Sequence, residues 1–183
     1  MGISVTEIDS CNRKNITCIV FGQGLIGCCV TNLLSIQSRT AAIEIDVDWS
    51  DVNSLLDASS ILEIYRNNNG IEIVWSAGQG GFTANSSEMD KEFYLYEKTI
   101  RFLKQKFEGS ITVNLVSSAG GLYEGQQYID EYTEVKPRRP YGCSKLRQEE
   151  LLIMEGIPHR IYRVASAYGI ARNKARVGLI NAF

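Results

Sequence analysis

Residues 16–27, ITCIVFGQGLIG, decide the fold. The segment Ile16–Phe21 is an uncharged run of apolar and β-branched residues, which is typical of a strand buried on both faces. A glycine follows it directly, and Leu25–Leu34 has the composition of a buried helix. A strand, a glycine-rich turn and a helix in this order predict the first half of a β-α-β unit.

Strands and helices are predicted to alternate along the rest of the chain. The further strands are Ala41–Ile45, Ile71–Trp75, Ile111–Val116 and Arg160–Val164, and the further helices are Val52–Asn67, Met89–Phe107 and Lys145–Glu155. This alternation predicts an α/β fold, namely a Rossmann-type doubly wound parallel sheet with helices on both faces. Residues 1–14 are polar and are expected to form an N-terminal extension, which leaves 15–183 as the Rossmann domain.

Composition and charge exclude several classes of protein. Nineteen Lys and Arg against 21 Asp and Glu give a net charge of −2, which argues against a nucleic-acid partner. His159 is the only histidine and the five cysteines form no CxxC pair, so neither a metal site nor a serine–histidine triad is expected. Scattered thiols and the absence of a signal-peptide pattern favour a cytoplasmic location. The uncharged stretch Asn15–Ser38 is interrupted by amides and glycines, so no membrane segment is expected.

The turn after the first strand carries the pattern GxGxxG. Glycines permit a tight turn and a close approach of the backbone to a pyrophosphate, while the free N–H groups at the start of the helix face the anion. The turn is therefore predicted to bind a dinucleotide cofactor. Its predicted cofactor-binding residues are Gly22, Gln23, Gly24, Leu25, Ile26 and Gly27.

A carboxylate after the second predicted strand is expected to hold the adenosine ribose of such a cofactor. Asp46 lies 19 residues after Gly27, close to the expected spacing, and Glu44 and Asp48 are alternatives. A carboxylate at this place would repel a 2′-phosphate and therefore favours NAD over NADP. Arg39 keeps NADP open as an alternative.

Tyr141 and Lys145 are four residues apart and therefore lie on one face of a helix. An ammonium beside a phenol favours the phenolate, so the pair would be able to take a proton from a carbinol while hydride leaves to the cofactor. Ser117 and Ser118 end a predicted strand, and Ser118 precedes Tyr141 by 23 residues. A serine hydroxyl at that strand end would hold the substrate oxygen against the tyrosine.

Together these features resemble the extended short-chain dehydrogenase/reductase family, the nucleotide-sugar epimerases and dehydratases typified by UDP-galactose 4-epimerase. The similarity runs from about residue 15 to the end of the chain. The motifs that carry it, in order, are the turn Gly24–Gly27, Ser76-Ala77-Gly78, Ser117-Ser118 leading to Tyr123, Tyr141 to Lys145 followed by Glu149, and Arg163-Val164-Ala165-Ser166-Ala167-Tyr168-Gly169.

The resemblance implies roles for these residues. Tyr141 would be the catalytic acid–base, Lys145 its electrostatic partner and a ligand of the nicotinamide ribose, and Ser118 the residue that hydrogen-bonds the substrate. The other implied contacts are Ala77, Gly78 and Tyr168 with NAD or NADP, and Tyr123 and Ser166 with the substrate. A nucleotide sugar linked to UDP or dTDP is the implied substrate, and a homodimer is the implied assembly.

The sequence departs from the family pattern at several positions. Phe21 occupies the place of the family's first glycine, and Ser166 replaces a usual asparagine. Only 50 residues separate Gly27 from Ala77, so the segment Ile45–Asp51 is expected to serve both the adenine and the ribose. The chain stops 14 residues after its Tyr-Gly motif, so most of the C-terminal lobe that binds the sugar nucleotide is expected to be missing.

Three functions follow from these observations. The first is a nucleotide-sugar epimerase or a related oxidoreductase. The second is a 4,6-dehydratase, which the sequence disfavours because Ala119-Gly120 follow Ser118 where such enzymes carry an acidic pair. The third is a module that binds NAD(P) without catalysis, as a sensor or scaffold.

Overall fold

The computed structural model describes residues 2–9, 15–38, 42–65, 70–107 and 110–168. The strands are β1 Gly2–Asp9, β2 Asn15–Phe21, β3 Ile43–Asp46, β4 Ile71–Trp75, β5 Ile111–Ser118 and β6 His159–Val164. The helices are α1 Leu25–Ser38, α2 Val52–Ile61, α3 Ser86–Phe107, α4 Ala119–Leu122 and α5 Pro140–Met154, and a 3₁₀ turn, Leu62–Tyr65, extends α2.

These strands form one six-stranded sheet in the order β3-β1-β2-β4-β5-β6. The strands β2, β4, β5 and β6 are parallel to one another, and β1 runs antiparallel to both of its neighbours, β2 and β3. The sheet is therefore mostly parallel, and helical crossovers connect its parallel strands, as in Rossmann-type folds. The predicted fold class is confirmed.

The first strand corrects the prediction for the N-terminus. Residues 1–14 were expected to extend outside the domain, but residues 2–9 form β1 inside the sheet. Ile3 and Val5 are buried in the core, while Ser4 and Thr6 are buried towards α1. Apolar residues therefore alternate with small polar residues along this segment, as expected for a strand whose successive side chains point to opposite faces. The domain therefore includes residues before Asn15, and β1 takes the place that the second strand has in the Rossmann order 3-2-1-4-5-6.

Helices cover both faces of the sheet. The hydroxyl of Ser4 in β1 contacts the hydroxyl of Thr31 in α1 at 2.7 Å, so α1 covers that face. The preceding residue, Ile3, lies opposite Phe21 in the register of β1 and β2. The ring of Phe21 stacks on that of Trp75, and Trp75 in turn packs against Tyr96 of α3. Because successive side chains of a strand point to opposite faces, α3 lies on the other side of the sheet. The helices α2 and α5 pack against α3 there.

Local signals explain where two helices begin. The start of α3 carries a capping box, in which Asn85 Oδ1 accepts from the N–H of Glu88 and the Glu88 carboxylate accepts from the N–H of Asn85. Pro140 opens α5, a position where proline loses no helical hydrogen bond. This helix begins five residues earlier than predicted, so Tyr141 and Lys145 both belong to it.

Several predicted features differ from the structure or lie outside the described residues. The helix predicted as Val52–Asn67 ends at Ile61, and the strand predicted as Ala41–Ile45 is observed as Ile43–Asp46. Arg39 and the last motif residue, Gly169, lie outside the described residues, as does the remainder of the chain to residue 183. Among the described residues, every helix is too short or too polar to cross a membrane. The same part of the chain contains no group of three His, Cys, Asp or Glu side chains that could hold a metal ion.

Candidate functional site

The glycine-rich turn between β2 and α1 is closely packed. Gly22 has φ +94°, a conformation that glycine adopts readily, and a Cβ on it would lie 2.6 Å from the backbone of Ala77. A Cβ on Gly27 would overlap the carbonyl oxygen of Gly22. A Cβ on Gly24, in contrast, would meet no atom within 4 Å. Two glycines therefore shape the turn, and the third leaves its outer side open to a ligand.

The side chain of Gln23 is fixed within the same turn. Its Nε2 donates to Ser4 Oγ at 3.0 Å and lies 3.3 Å from Thr31 Oγ1, so the amide joins the turn to β1 and α1. The thiol of Cys28 donates to the carbonyl oxygen of Gln23 at 3.1 Å. These contacts hold residue 23 on the β1 side of the turn, and its side chain remains partly exposed.

The end of β4 is tied to this turn. The hydroxyl of Ser76 donates to the carbonyl oxygens of Phe21 and Gly22, each at 3.0 Å, and its N–H donates to the carbonyl of Phe21 at 2.9 Å. Ala77 and Gly78, which follow, therefore lie beside the glycine-rich turn at the carboxyl edge of the sheet. This is the edge at which parallel α/β sheets bind their ligands.

A cavity of about 270 Å³ brings together residues from several strand ends. Tyr141 and Lys145 of α5 line it together with Ser118 at the end of β5. Its other lining residues are Ile26, Ser76, Ala77, Gly78, Gly80, Phe82, Glu92, Val116, Ser117, Val164, Ala165, Ser166 and Ala167. The tyrosine, the lysine and the serine that were singled out in the sequence therefore share one cavity.

Close packing of α4 against α5 positions Tyr141. A Cβ on Gly142 would overlap the carbonyl oxygen of Gly121, and a Cβ on Gly121 would lie 3.1 Å from the Tyr141 ring. On its other side the ring lies against Phe82, with 5.4 Å between the ring centroids. Two glycines and an aromatic ring thus fix the orientation of Tyr141.

Lys145 is 7% exposed and is held by two acceptors. Its Nζ donates to the carbonyl oxygen of Val116 at 3.3 Å and to Gln148 Oε1 at 3.2 Å. Burial lowers the pKa of Lys145 below its ordinary value, while the negative charges of Glu92 and Glu149 act in the opposite direction. The ammonium is therefore a desolvated charge that lies one helical turn from Tyr141 on the same helix.

The two serines at the end of β5 have different partners. Ser118 caps α4, and its Oγ accepts from the N–H of Gly121 at 3.1 Å, which leaves its own O–H free to donate into the cavity. Ser117 donates to the buried carboxylate of Glu149 at 2.5 Å. Arg163 of β6 binds the same carboxylate through Nε at 3.2 Å and Nη2 at 2.7 Å. The distinction favours Ser118, rather than Ser117, as the substrate-facing hydroxyl.

Glu92 is a site residue that the sequence did not reveal. Its Oε2 accepts from the N–H groups of Gln79 and Gly80 at 2.8 and 2.9 Å, and a Cβ on Gly78 would lie 2.8 Å from its Oε1. The carboxylate therefore holds the loop after β4, and the absence of a side chain at Gly78 makes room for it. Charged residues surround Glu92 in the sequence of α3, so no sequence signal distinguishes it from its neighbours.

A larger open cleft of about 1530 Å³ adjoins this cavity, and residues such as Ala77, Gly78 and Glu92 line both. Its floor is aromatic, with the rings of Trp49 and Trp75 edge to face at 6.0 Å between centroids. Trp75 is 2% exposed, and its indole N–H has no hydrogen-bond acceptor among the described residues. The two rings give this part of the cleft an aromatic surface.

Outside the glycine-rich turn, three predicted site residues do not line the small cavity. Asp46 ends β3, and β1 separates that strand from β2 and the glycine-rich turn. Tyr123 is buried, and its hydroxyl accepts from Arg163. Tyr168 is 67% exposed and does not line the cavity, whereas the neighbouring Ser166 does. Roles for these three residues in binding remain predictions, and the geometry does not support the one for Tyr123.

The sheet and its glycine-rich turn give this chain a Rossmann-type α/β fold, and its two adjoining cavities lie at the carboxyl edge of the sheet. Solved structures of three proteins have a similar fold. UDP-N-acetylglucosamine 4-epimerase from Bacillus cereus matches with a TM-score of 0.65 and 17% identity, over 91% of this chain and 63% of that chain. RMD from Pseudomonas aeruginosa, complexed with NADPH, matches with a TM-score of 0.64 and 22% identity, over 85% of this chain and 54% of that chain. UDP-glucose 4-epimerase from Brucella ovis, in complex with NAD, matches with a TM-score of 0.61 and 19% identity, over 82% of this chain and 51% of that chain.

The similarity confirms, at the level of the fold, the predicted resemblance to extended short-chain dehydrogenases/reductases. This chain spans between 51% and 63% of the length of these three proteins. In sequence, the chain matches no protein-family profile and no curated protein.

Proposed function

We propose that this chain is the cofactor-binding part of an NAD(P)-dependent enzyme of the extended short-chain dehydrogenase/reductase family that acts on nucleotide sugars. The observation that carries the proposal is the single cavity that Tyr141, Lys145 and Ser118 line together beside the glycine-rich turn. The three solved structures support it, since two are epimerases of UDP-sugars and two were determined with NAD or NADPH.

The residues present fit a dinucleotide. Gly24 leaves the outer side of the turn open, and the first turn of α1 contains no acidic side chain that would repel a pyrophosphate. The aromatic floor suits the adenine ring, and Ala77 and Gly78 connect that floor to the small cavity. When bound, NAD(P) supplies the carbon that accepts and returns a hydride.

Tyr141 moves the proton in this proposal. The O–H of Ser118 donates to the substrate oxygen and holds it near Tyr141, whose phenolate takes the carbinol proton as the sugar is oxidised. In this proposal the buried ammonium of Lys145, one helical turn away, stabilises that phenolate. The return of the proton from Tyr141 to the sugar oxygen accompanies the reverse step.

Epimerisation or net oxidation of a sugar fits this chain better than dehydration. Loss of water needs an additional acid and base, whereas Ala119 and Gly120 follow Ser118 directly and form the start of α4. A UDP- or dTDP-linked sugar is the proposed substrate. A homodimer and a cytoplasmic location remain predictions.

Incubation of the purified protein with NAD and a panel of UDP- and dTDP-sugars tests the proposal. Absorbance near 340 nm should rise as bound NAD is reduced, and Tyr141→Phe should lower the rate at least about 100-fold without loss of NAD binding. Tyr162→Phe, on the opposite face of the sheet, is the matched control and should leave the rate unchanged. Reduction that persists in Tyr141→Phe would refute the assigned role, and NAD binding without reduction by any sugar would favour a sensor or scaffold.

A further inference from the structure

We infer that Glu92 of α3 is a positioning residue of the proposed active site, and that its negative charge keeps Lys145 protonated from another wall of the small cavity. The inference rests on the proposed function, because it concerns the lysine that acts with Tyr141 in the proton step. It follows from the arrangement of charges around that lysine.

The direct contacts of Lys145 do not balance its charge. The side chain is 7% exposed, and its Nζ donates to two uncharged acceptors, the carbonyl oxygen of Val116 and the amide oxygen of Gln148. Among the described residues, no carboxylate forms an ion pair with this ammonium. Burial penalises the charged form of a lysine, so its protonation depends on carboxylates beyond its first contacts.

Two carboxylates are placed to act on the lysine, and they differ in their own partners. Glu149 lies one helical turn after Lys145 on α5, and the guanidinium of Arg163 binds it at 2.7 Å and offsets much of its field. Glu92 comes from α3, which packs against α5, and it lines the same cavity as Lys145. Within the described part of the chain Glu92 has no cationic partner, so its charge is not offset.

The backbone holds the carboxylate of Glu92 in one place. Its Oε2 accepts from the N–H groups of Gln79 and Gly80 at 2.8 and 2.9 Å. Its Oε1 occupies space that a Cβ on Gly78 would restrict, since the two atoms would be 2.8 Å apart. The loop after β4 therefore fixes a negative charge at the wall of the cavity that contains the lysine.

The titration of Lys145 should depend on this charge. Burial lowers the pKa of Lys145, and the charges of Glu92 and, more weakly, Glu149 oppose that shift. Of the other titratable groups on α3 and α5, Tyr141 lines the cavity, and Tyr96 is buried with its pKa raised by burial, so it stays neutral. Loss of the charge of Glu92 should therefore let the lysine release its proton at a lower pH.

NMR titration of protein labelled with ¹³C at the lysine Cε measures this directly, and the signal of Lys145 is assigned by its absence in Lys145→Met. Glu92→Gln keeps an oxygen that can accept from the loop N–H groups and removes only the charge. It should move the titration midpoint to lower pH, corresponding to at least about a threefold change in the proton affinity of the lysine. Glu92→Asp, which keeps the charge, should move it less.

Glu97→Gln is the matched control. Glu97 lies on the same helix, and its side chain is 25% exposed and pairs with Arg101. Because an exposed charge is screened by water, this change should leave the midpoint of Lys145 in place.

The proposed reaction gives a second measurement. The phenolate of Tyr141 needs the ammonium, so the alkaline fall in the rate of NAD reduction should begin at lower pH in Glu92→Gln than in the unmodified protein. If Glu92 served only to hold the loop, its replacement would lower the rate by the same factor at every pH.

The outcomes separate this inference from the proposed function. An unchanged midpoint of Lys145 in Glu92→Gln, or equal shifts in Glu92→Gln and Glu97→Gln, would overturn the inference and leave the proposed function intact. An equal shift in Glu92→Asp and Glu92→Gln would also overturn it, because the charge would then not be the cause. A shifted midpoint in a protein whose NAD no sugar reduces would support the electrostatic link and count against the proposed function.

Discussion

The ion pair between the buried Glu149 and the partly exposed Arg163 should give unequal losses of stability when either partner is replaced. The side chain of Glu149 is 3% exposed, whereas that of Arg163 is 36% exposed. Removing the arginine leaves a buried carboxylate whose one remaining hydrogen-bond donor, among the described residues, is the hydroxyl of Ser117. Removing the negative charge leaves a guanidinium that water can still reach.

The magnitudes follow from this difference in exposure. Arg163→Met should lower the free energy of unfolding by about 3–5 kcal/mol, the usual result of leaving a buried charge unpaired. Glu149→Gln keeps the shape of the side chain and a carbonyl oxygen for Ser117, and should cost only about 1–2 kcal/mol. At roughly 2–4 °C per kcal/mol for a chain of this size, Arg163→Met should lower the Tm by about 6–20 °C.

Urea denaturation of both variants and of the double variant provides the measurement. The double variant should be more stable than the sum of the single effects implies, by about 1 kcal/mol or more. Arg160→Met is the matched control, because Arg160 is 56% exposed and pairs with Glu72 on the other face of the sheet. That change should cost less than about 1 kcal/mol. Equal losses for Arg163→Met and Glu149→Gln, or strictly additive effects, would refute this reasoning.

Three further predictions concern other parts of the chain. Gly27→Ala should destabilise the protein by about 1–3 kcal/mol, because its Cβ would overlap the carbonyl of Gly22, whereas Gly24→Ala should change stability by less than about 0.5 kcal/mol in the same urea titration. Burial lowers the pKa of Lys145, so the native protein gains stability as the pH rises through that lowered pKa. Lys145→Met should therefore be at least as stable as the unmodified protein at pH 7, and the difference between their Tm values should narrow towards pH 10; a lower Tm for the variant at pH 7 would contradict this. Burial raises the pKa of Cys18 to about 12, so iodoacetamide at pH 8 should modify the exposed Cys29 and Cys143 in the native protein and Cys18 only after unfolding, as mapped by mass spectrometry.

The fold class was predictable because its signals are local. The uncharged run before Gly22, the glycine pattern and the regular return of strands all act over short distances in the sequence. The motif residues Tyr141, Lys145 and Ser118 were found for the same reason, since their spacing reflects one helix and one strand end.

The missed features depend on packing between distant parts of the chain. The alternation of Ile3 and Val5 with Ser4 and Thr6 is a strand signal, but the acidic residues that follow made this segment resemble a solvated terminus. Its position between β2 and β3 follows from pairing that no local pattern specifies. The spacing rule that selected Asp46 assumes that β2 and β3 are neighbours, and the inserted strand removes that condition.

The position of Gly2 beside the glycine-rich turn affects how the protein should be produced. An affinity tag joined ahead of this residue would emerge beside the glycine-rich turn, at the edge of the sheet where the proposed cofactor would bind. Expression from a start after residue 9 would remove β1, the strand through which β3 joins the rest of the sheet. Biochemical work on this chain should therefore keep the N-terminus native and carry the purification handle at the opposite end.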